Sequence, residues 1–329
     1  MRTGMGMGIG KLCIIWLLGW QLHCVLNGVE GQNLQVGFYE LTCPTAETIV
    51  TNTVTQAFLN DNTITAGLVR LLFHDCFVEG CDASILLLGP NSEQLAIPNL
   101  TVRGFGVITA AKTQLEAVCP GIVSCADIIA LAARDAVGLL GGPAYQAETG
   151  RLDGLAPGIV TLPAPTDDVD TTTPQFAAVG LTQEDMVTLL GAHSVGTSQC
   201  QFFSDRLYNY NNTLAPDPSM NTTYLLYLQN LCPQNGTGTT TVPLNSISEF
   251  VLDTSYYTSV LMGKGLLIID QDIAAKTNTS VYVSNFAGAS QTLNLTFSST
   301  FVSTYNKMAT IGLKTSVDGE IRTVCEFPN

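Results

Sequence analysis

Residues 65–77 read TAGLVRLLFHDCF and predict an α-helix. Their apolar residues recur with helical spacing at Leu68, Leu71, Leu72 and Phe73. Arg70 and His74 lie four residues apart, so their side chains share one face of this helix. A cation and a titratable base directed into one pocket suit the cleavage of a polar bond. The structural alternative is a solvated helix face.

Helical patterns extend along the rest of the chain. Segments with apolar residues at helical spacing, with helix-forming composition or with helix start signals are residues 45–60, 107–118, 124–137, 182–190 and 301–312. The fourth opens with Thr-Gln-Glu-Asp, which has the form of a capping box. We expect residues 150–175, rich in Gly, Pro and Asp, to be loop, and 242–253 to be irregular. Thr-rich pieces are also compatible with strands, and the pattern predicts a mostly helical fold.

The first 31 residues differ from the remainder. Arg2 and Lys11 precede a short apolar run over residues 12–26, and Gly28 and Gly31 follow it. This is typical of a cleaved signal peptide, because the run is short for a membrane span. A single membrane anchor is the alternative. We therefore expect a signal peptide at 1–31 and one folded domain at 32–329, with no later run apolar enough to cross a bilayer.

The cysteines agree with export from the cell. Of ten, two lie in the signal segment, and the other eight are Cys43, Cys76, Cys81, Cys119, Cys125, Cys200, Cys232 and Cys325. Eight cysteines in an exported chain predict four disulfides, for which the pattern alone allows about 105 pairings. A zinc site is disfavoured, because no close pair has the spacing of a metal knuckle.

The net charge and the glycosylation sequons predict an acidic, glycosylated surface. The chain has 13 Lys and Arg against 27 Asp and Glu, a formal net charge of −14. Such a chain repels polyanions, so nucleic acid is excluded as a partner. Asn-x-Ser/Thr sequons occur at Asn99, Asn211, Asn221, Asn235, Asn278 and Asn294, which predicts a glycoprotein.

Histidine is scarce in the mature chain. The sequence has three histidines, and His23 leaves with the signal peptide, so His74 and His193 remain. His193 follows the apolar run Leu-Leu-Gly-Ala, whose small residues would let the imidazole lie against something large and flat. A lone histidine is more often structural than catalytic, so the neighbouring residues must decide.

Long motifs around both histidines carry a resemblance. Residues 70–87 read RLLFHDCFVEGCDASILL, and residues 185–200 read DMVTLLGAHSVGTSQC. Further matching stretches are GFYELTCP at 37–44, VSCADIIALAARDAV at 123–137, LPAP at 162–165, DRLYN at 205–209 and GEIRTVC at 319–325. Together they resemble the secretory plant haem peroxidases of class III, and the resemblance covers the whole mature chain.

The resemblance implies a mostly α-helical haem peroxidase fold of two lobes, with haem b held between them. It implies an enzyme that reduces hydrogen peroxide to water while oxidising phenolic or other small donors in one-electron steps. It also implies a monomer secreted to the apoplast or cell wall, with no membrane attachment after signal cleavage. The disulfides it implies are Cys43–Cys119, Cys76–Cys81, Cys125–Cys325 and Cys200–Cys232.

On the distal side of the haem, the resemblance implies that His74 acts as a general base and then as a general acid. Arg70 would stabilise the charge that develops as the O–O bond breaks. Asn99, with Glu93 behind it, would hold the other nitrogen of His74. Phe73 would limit access to the iron, and Pro163 would line the access path for substrates.

On the proximal side, the resemblance implies that His193 is the iron ligand and that Asp270 accepts the other N–H of its imidazole. Asn99, which falls in a sequon, is expected to be unmodified because of its buried role. One residue is missing between Asn99 and Arg103 relative to the family pattern. Tyr145 stands where relatives often have tryptophan.

Calcium follows from the residue types as well as the resemblance. Asp75, Val78, Gly80, Asp82 and Ser84 offer two carboxylates, a hydroxyl and two carbonyls within ten residues, which suits a hard cation. An acidic loop without metal is the alternative. The resemblance implies a second, proximal calcium site at Ser194, Asn245, Ser248, Val251 and Asp253. Asn245 replaces an aspartate there, so we expect weaker binding.

Two other functions compete with the peroxidase interpretation. One is an extracellular scaffold that keeps the fold and has weakened or lost catalysis, against which the joint presence of Arg70, His74, Asn99, His193 and Asp270 argues. The other is a zinc- or calcium-dependent hydrolase, for which two histidines and paired cysteines leave too few zinc ligands.

Overall fold

The computed structural model describes residues 34–290, 293 and 296–329. The predicted signal peptide at 1–31 and the sequon at Asn294 lie outside the described residues. Within them the chain forms twelve α-helices: α1 (Ala46–Asn60), α2 (Ile64–Phe77), α3 (Phe105–Val118), α4 (Cys125–Leu139), α5 (Val169–Ala178), α6 (Gln183–Leu190), α7 (Ser204–Tyr208), α8 (Thr222–Leu231), α9 (Ser255–Leu261), α10 (Ile268–Ala275), α11 (Thr277–Phe286) and α12 (Phe297–Met308).

Helices α1 to α4 pack on one another and bury the apolar face of α2. Ser124 caps the start of helix α4, because its side chain accepts a hydrogen bond from the Asp127 N–H, an otherwise unpaired donor. Its alanines are buried and small, so α1 and α2 approach it closely. Helix α2 is thereby fixed along its length, which fixes the direction of Arg70 and His74.

A second set of helices, α5, α6 and α9 to α12, surrounds the segment that carries His193. The predicted capping box of α6 is present, because the Thr182 hydroxyl accepts from the Asp185 N–H and the Asp185 carboxylate accepts from the Thr182 N–H. A 3₁₀ turn, Gly191–Ser194, continues α6 directly. The two sets meet where the Tyr305 hydroxyl of α12 donates to the Val69 carbonyl of α2, at 3.0 Å.

Strand structure is limited to two antiparallel pairs in the described chain. Strand β1 (Asp153–Gly154) pairs with β4 (Gly319–Glu320), and β2 (Thr197–Gln199) pairs with β3 (Thr241–Pro243). The mostly helical fold class predicted from the sequence is therefore confirmed. In this part of the chain, no helix is both long enough and apolar enough to span a membrane.

The four disulfides form the pairs that the resemblance implies: Cys43–Cys119, Cys76–Cys81, Cys125–Cys325 and Cys200–Cys232. The third joins residues 200 positions apart and ties the C-terminal segment to the start of α4. The second closes a loop of only five positions at the end of α2, directly after His74.

Some local expectations were wrong. Residues 150–175 are not loop throughout, because α5 begins at Val169 after Asp168, whose side chain caps it by accepting from the Thr171 N–H. The Pro174 ring lies inside this helix, which is why composition pointed to loop. The last helix also begins earlier than expected, at Phe297, after the cap Thr296.

Candidate active site

Helix α2 brings Arg70 and His74 together on one face, as their spacing predicted. The Arg70 Nε donates to His74 Nε2 at 2.9 Å. The guanidinium also donates to the Thr101 hydroxyl and to the Pro98 carbonyl, each at 3.0 Å. These last two contacts were not anticipated, because a loop oxygen leaves no pattern in the sequence. They fix the guanidinium beside the imidazole.

The second nitrogen of His74 contacts Asn99. His74 Nδ1 lies 2.6 Å from Asn99 Oδ1, and Asn99 Nδ2 donates to the Glu93 carbonyl at 2.9 Å. Because the amide nitrogen donates to Glu93, Asn99 presents its oxygen to the imidazole, which assigns the proton to Nδ1 and leaves Nε2 as the acceptor. The relay therefore forms despite the missing residue, and Glu93 enters it through its backbone carbonyl.

Burial sets the charge state of this pair. Burial, and then the adjacent positive charge of Arg70, lower the pKa of His74 to about 3. Burial lowers the pKa of Arg70 to about 10, which still leaves the guanidinium charged at neutral pH. The site therefore holds a neutral imidazole next to a fixed cation, and its unprotonated Nε2 accepts a hydrogen bond from Arg70.

Aromatic rings form an apolar wall beside the distal pair. Phe73 lies 4.9 Å from Phe77 between ring centroids, and Phe77 lies 4.9 Å from Phe176 of α5. Pro163 is half-exposed in the loop before α5.

His193 is presented by the 3₁₀ turn after α6 and is held by a buried carboxylate. His193 Nδ1 lies 2.7 Å from Asp270 Oδ1, which also accepts from the Tyr256 hydroxyl at 2.9 Å. Asp270 Oδ2 accepts from the Leu267 N–H. Burial alone would raise the pKa of Asp270, but His193 and these hydrogen bonds lower it. Tyr256 is a partner that the sequence did not reveal.

The loop before α10 is fixed by a second motif residue. The buried Arg206 of the DRLYN stretch donates to the carbonyls of Leu266 and Leu267 and pairs with Asp217 at 2.9 Å. The Leu266 and Leu267 carbonyls lie at the start of α10, so Arg206 helps to fix the position of the helix that carries Asp270. Its place in a matching motif was the signal, but its contacts were not predictable.

The donor set at His193 fits a haem iron. Its side chain is 27 % exposed, and no described residue hydrogen-bonds Nε2, while Nδ1 is fixed by Asp270. An imidazole with one nitrogen held by a carboxylate and the other open is the usual arrangement of a metal-ligating histidine.

The distal acidic loop carries unsatisfied buried oxygens. Asp75 Oδ1, Ser84 Oγ and Glu93 Oε2 are buried and have no hydrogen-bond partner, and burial together with the charges of Asp82 and Glu93 raises the pKa of Asp75. A hard cation would bind buried side-chain oxygens that lack hydrogen-bond partners, and it would offset the repulsion between neighbouring carboxylates. The described chain holds no cluster of three or more His, Cys, Asp or Glu placed as metal ligands. The proposed distal set has only two carboxylates, with hydroxyl and carbonyl oxygens besides.

The proximal set fits a cation less completely. Ser194 Oγ is buried and unpartnered. Asn245, however, accepts from the Ile247 N–H and donates to the Ser255 hydroxyl, and Asp253 accepts from the Ser255 N–H. Ser248 and Val251 lie in the same irregular stretch, which was expected to be irregular. The amide of Asn245 is thus already hydrogen-bonded within the loop.

A helical fold in which an Arg–His–Asn relay and a carboxylate-held histidine are preorganised defines a protein of the haem peroxidase class. A protein-family model described as Peroxidase matches residues 50–289. Peroxidase N1 of Nicotiana tabacum is 47 % identical over 304 residues, 92 % of each chain. Peroxidase 25 of Arabidopsis thaliana is 44 % identical over 330 residues, 99 % of this chain and 100 % of its own length. This chain belongs to the class III plant peroxidases.

Membership settles the broad function. The protein is an enzyme, a haem peroxidase that reduces hydrogen peroxide with electrons from reducing donors. The scaffold alternative is not favoured. The hydrolase alternative loses its zinc ligands as well, because the eight cysteines of the described chain are paired in disulfides.

Proposed function

We propose that His74, Arg70 and Asn99 perform the acid–base chemistry of peroxide reduction, with small phenols as the electron donors. The relay from Glu93 through Asn99 to His74 is the observation that supports this most strongly, because it leaves Nε2 unprotonated. His74 takes a proton from hydrogen peroxide at Nε2 and then delivers it to the departing oxygen, so water leaves instead of hydroxide. Arg70 stabilises the negative charge that develops during cleavage.

On the other side, His193 Nε2 is the proposed iron ligand of haem b, and Asp270 gives its imidazole anionic character. When bound, the haem supplies the redox chemistry, a two-electron reduction of peroxide followed by two single-electron returns from donors. Phe73 and its neighbouring rings exclude water and restrict approach to the iron. Pro163 is proposed to line the path that the phenol takes.

Stoichiometry with a small phenol tests the proposed donor class. Purified enzyme loaded with haem b should consume two phenol molecules for each hydrogen peroxide, because each donor gives one electron. The matched comparison is a non-phenolic aromatic of the same size, which should give little turnover. Peroxide consumption that is faster with the non-phenolic donor would contradict the phenolic assignment.

The pH dependence follows from the lowered pKa of His74. The rate of peroxide reduction should be constant at neutral pH and fall as the pH approaches 3, because protonated His74 cannot accept a proton. The acidic limb of stopped-flow rate against pH measures this. Arg70→Ala should move the limb to higher pH, since the Arg70 charge helps to lower the pKa. A limb near the ordinary histidine pKa of about 6.5 would contradict the account.

Asp270→Asn should weaken haem retention about 10- to 100-fold and raise the iron reduction potential, because the amide no longer makes the His193 imidazole anionic. Haem transfer to an apo-acceptor and a spectroelectrochemical titration measure the two effects. Asp272→Asn, on the same helix, is the matched control and should leave both unchanged. An unaltered potential in Asp270→Asn would count against His193 as the iron ligand.

We propose two calcium ions, the distal one held by Asp75, Val78, Gly80, Asp82 and Ser84, and a weaker proximal one held by Ser194, Asn245, Ser248, Val251 and Asp253. The orphaned oxygens of Asp75 and Ser84 support the distal site, and that of Ser194 supports the proximal site. Calcium there would brace the end of α2, next to His74.

Calcium removal should therefore destabilise the enzyme. At a free calcium concentration of about 100 times the dissociation constant, binding contributes about 2.7 kcal/mol per site. Thermal unfolding with and without chelator measures the loss. Asn245→Asp should add the missing charge and tighten the weaker site, seen in a calcium titration. A melting temperature that does not respond to chelator would contradict both sites.

We further propose that residues 1–31 are a signal peptide and that 32–329 is a secreted, monomeric glycoprotein of the apoplast or cell wall. The disulfides and acidic composition support export. Asn211, Asn235 and Asn278 are exposed and open to glycosylation, whereas Asn99 is 2 % exposed with its amide nitrogen engaged. N-terminal sequencing and glycopeptide mapping of the secreted protein test these points.

A further inference from the structure

A continuous chain of aromatic rings leads away from His193. Successive ring centroids are separated by 6.1 Å (His193–Tyr256), 5.0 Å (Tyr256–Tyr257), 5.5 Å (Tyr257–Phe297), 5.4 Å (Phe297–Phe301), 5.1 Å (Phe301–Tyr305) and 6.2 Å (Tyr305–Tyr145). Each separation lies in the range of directly packed aromatic pairs. The chain therefore has no gap between the proximal histidine and Tyr145.

The burial of the rings gives this chain an interior and an outer end. Tyr256, Tyr257 and Tyr305 are at most 2 % exposed, and the two phenylalanines are buried as well. Tyr145 lies in the segment after α4 and is half-buried against the core, and this burial raises the pKa of its hydroxyl above the ordinary tyrosine value. The sequence has two tryptophans, Trp16 and Trp20, and both lie in the predicted signal peptide. The chain of rings therefore contains phenols and no indole.

The hydroxyl partners decide where an oxidised phenol can persist. A phenol that loses an electron becomes a strong acid and needs a base nearby. Tyr256 donates to the Asp270 carboxylate, which also contacts His193 and the Leu267 N–H. Tyr257 and Tyr305 donate to the carbonyls of Val187 and Val69, which are poor proton acceptors. An oxidised state can therefore persist at Tyr145, the one half-buried phenol of the ring chain, where solvent water can accept the proton.

We propose that these rings carry oxidation from the haem site to Tyr145, which serves as a second, surface site for one-electron oxidation of phenols too bulky for the distal pocket. This rests on the proposed role of His193. The peroxide reaction supplies the oxidant. Tyr145 loses one electron inward and its phenolic proton to water. A donor phenol then returns one hydrogen atom to Tyr145, so two donors are oxidised for each peroxide. Phe297 and Phe301, harder to oxidise than phenols, are the medium between Tyr257 and Tyr305.

Radical mapping tests the proposal with a readout other than turnover. Haem-loaded enzyme is treated with hydrogen peroxide and a nitroso spin trap, without donor, and the trapped residue is located by peptide mass spectrometry. We expect the adduct on Tyr145, together with a tyrosyl signal in electron paramagnetic resonance. Tyr227 is 52 % exposed and stands outside the chain, so it reports oxidation by diffusing radicals.

Matched variants distinguish oxidation of Tyr145 through the ring chain from oxidation that depends only on its exposure to solvent. Tyr305→Phe keeps the ring but removes the more easily oxidised phenol, so transfer must cross three phenylalanines in a row and the adduct on Tyr145 should diminish. Tyr227→Phe should leave that adduct unchanged. Tyr145→Phe should lose turnover of a polymer-bound phenol and keep turnover of a small phenol. Labelling of Tyr227 in preference to Tyr145, or labelling of Tyr145 that is undiminished in Tyr305→Phe, would overturn the proposed path through the rings.

The absorption spectrum of the same samples distinguishes failure of the proposed function from failure of the proposed path through the rings. A Soret band that responds to peroxide, without any adduct on Tyr145, overturns the proposed path through the rings and leaves the proposed function intact. A Soret band that does not respond to peroxide overturns both the proposed function and the path through the rings.

Discussion

Replacing His74 by alanine is expected to slow the reaction with hydrogen peroxide by about 10²- to 10⁴-fold, the usual contribution of a positioned acid–base group. The wild-type imidazole is poised for this role, since burial and Arg70 keep it neutral and Asn99 fixes its tautomer. Stopped-flow measurement of the second-order rate constant gives the effect. Haem binding should persist, because His193 and Asp270 are untouched.

Val69→Ala is the matched control for this variant. Val69 lies on the same helix, is 4 % exposed and carries no polar side-chain atom, so its truncation reports packing loss alone. Its rate constant should remain close to the wild-type value. A His74→Ala rate constant within about tenfold of wild type, equivalent to about 1.4 kcal/mol, would show that another group carries the proton.

Removing the Cys125–Cys325 disulfide by alanine substitution of both residues is expected to cost about 5 kcal/mol of unfolding free energy, because this bridge closes the longest of the four disulfide loops among the described residues. The loss arises mainly in the unfolded state, which regains the entropy that the cross-link removed. Denaturant unfolding monitored by circular dichroism measures it.

The Cys76–Cys81 pair offers the matched control. Both pairs are almost fully buried, so the alanine substitutions remove similar packing, but this bridge closes a loop of five positions and should cost only about 2 kcal/mol. Equal losses for the two pairs would contradict the loop-length explanation. A larger loss for the short loop would contradict it as well, and would point to native contacts at the end of α2 that the bridge maintains.

The long helices and the short, capped α6 were predictable from sequence, whereas the other short helices were not. Helices α1 to α4 and α6 show clear apolar spacing, helix-forming composition or caps, and they were expected within a few residues of their bounds. Helices α7 to α11 have five to ten residues, and α8, α9 and α11 are rich in Thr, Ser and Asn, so tertiary packing rather than propensity supports them. Helix α5 was hidden by Pro174.

The contacts of the active site also fall into those that the sequence predicted and those that it did not. The Arg70–His74 pair follows from helical spacing, because both residues lie on one helix. The contact between His193 and Asp270 joins residues 77 positions apart, and only the family resemblance pointed to it. Contacts made by backbone carbonyls, such as Pro98 on Arg70 and Glu93 on Asn99, leave no trace in side-chain patterns. The same is true of the hydroxyl of Tyr256.

The measurement that tests the central claim most directly is the absorption spectrum of the purified, haem-loaded enzyme mixed with an equimolar amount of hydrogen peroxide. The account predicts that the Soret band loses intensity within milliseconds and recovers when a phenol is added, since the distal residues cleave the peroxide and the phenol returns the electrons. A Soret band that is present but unchanged by peroxide would contradict the assignment of Arg70, His74 and Asn99 as the peroxide-cleaving group.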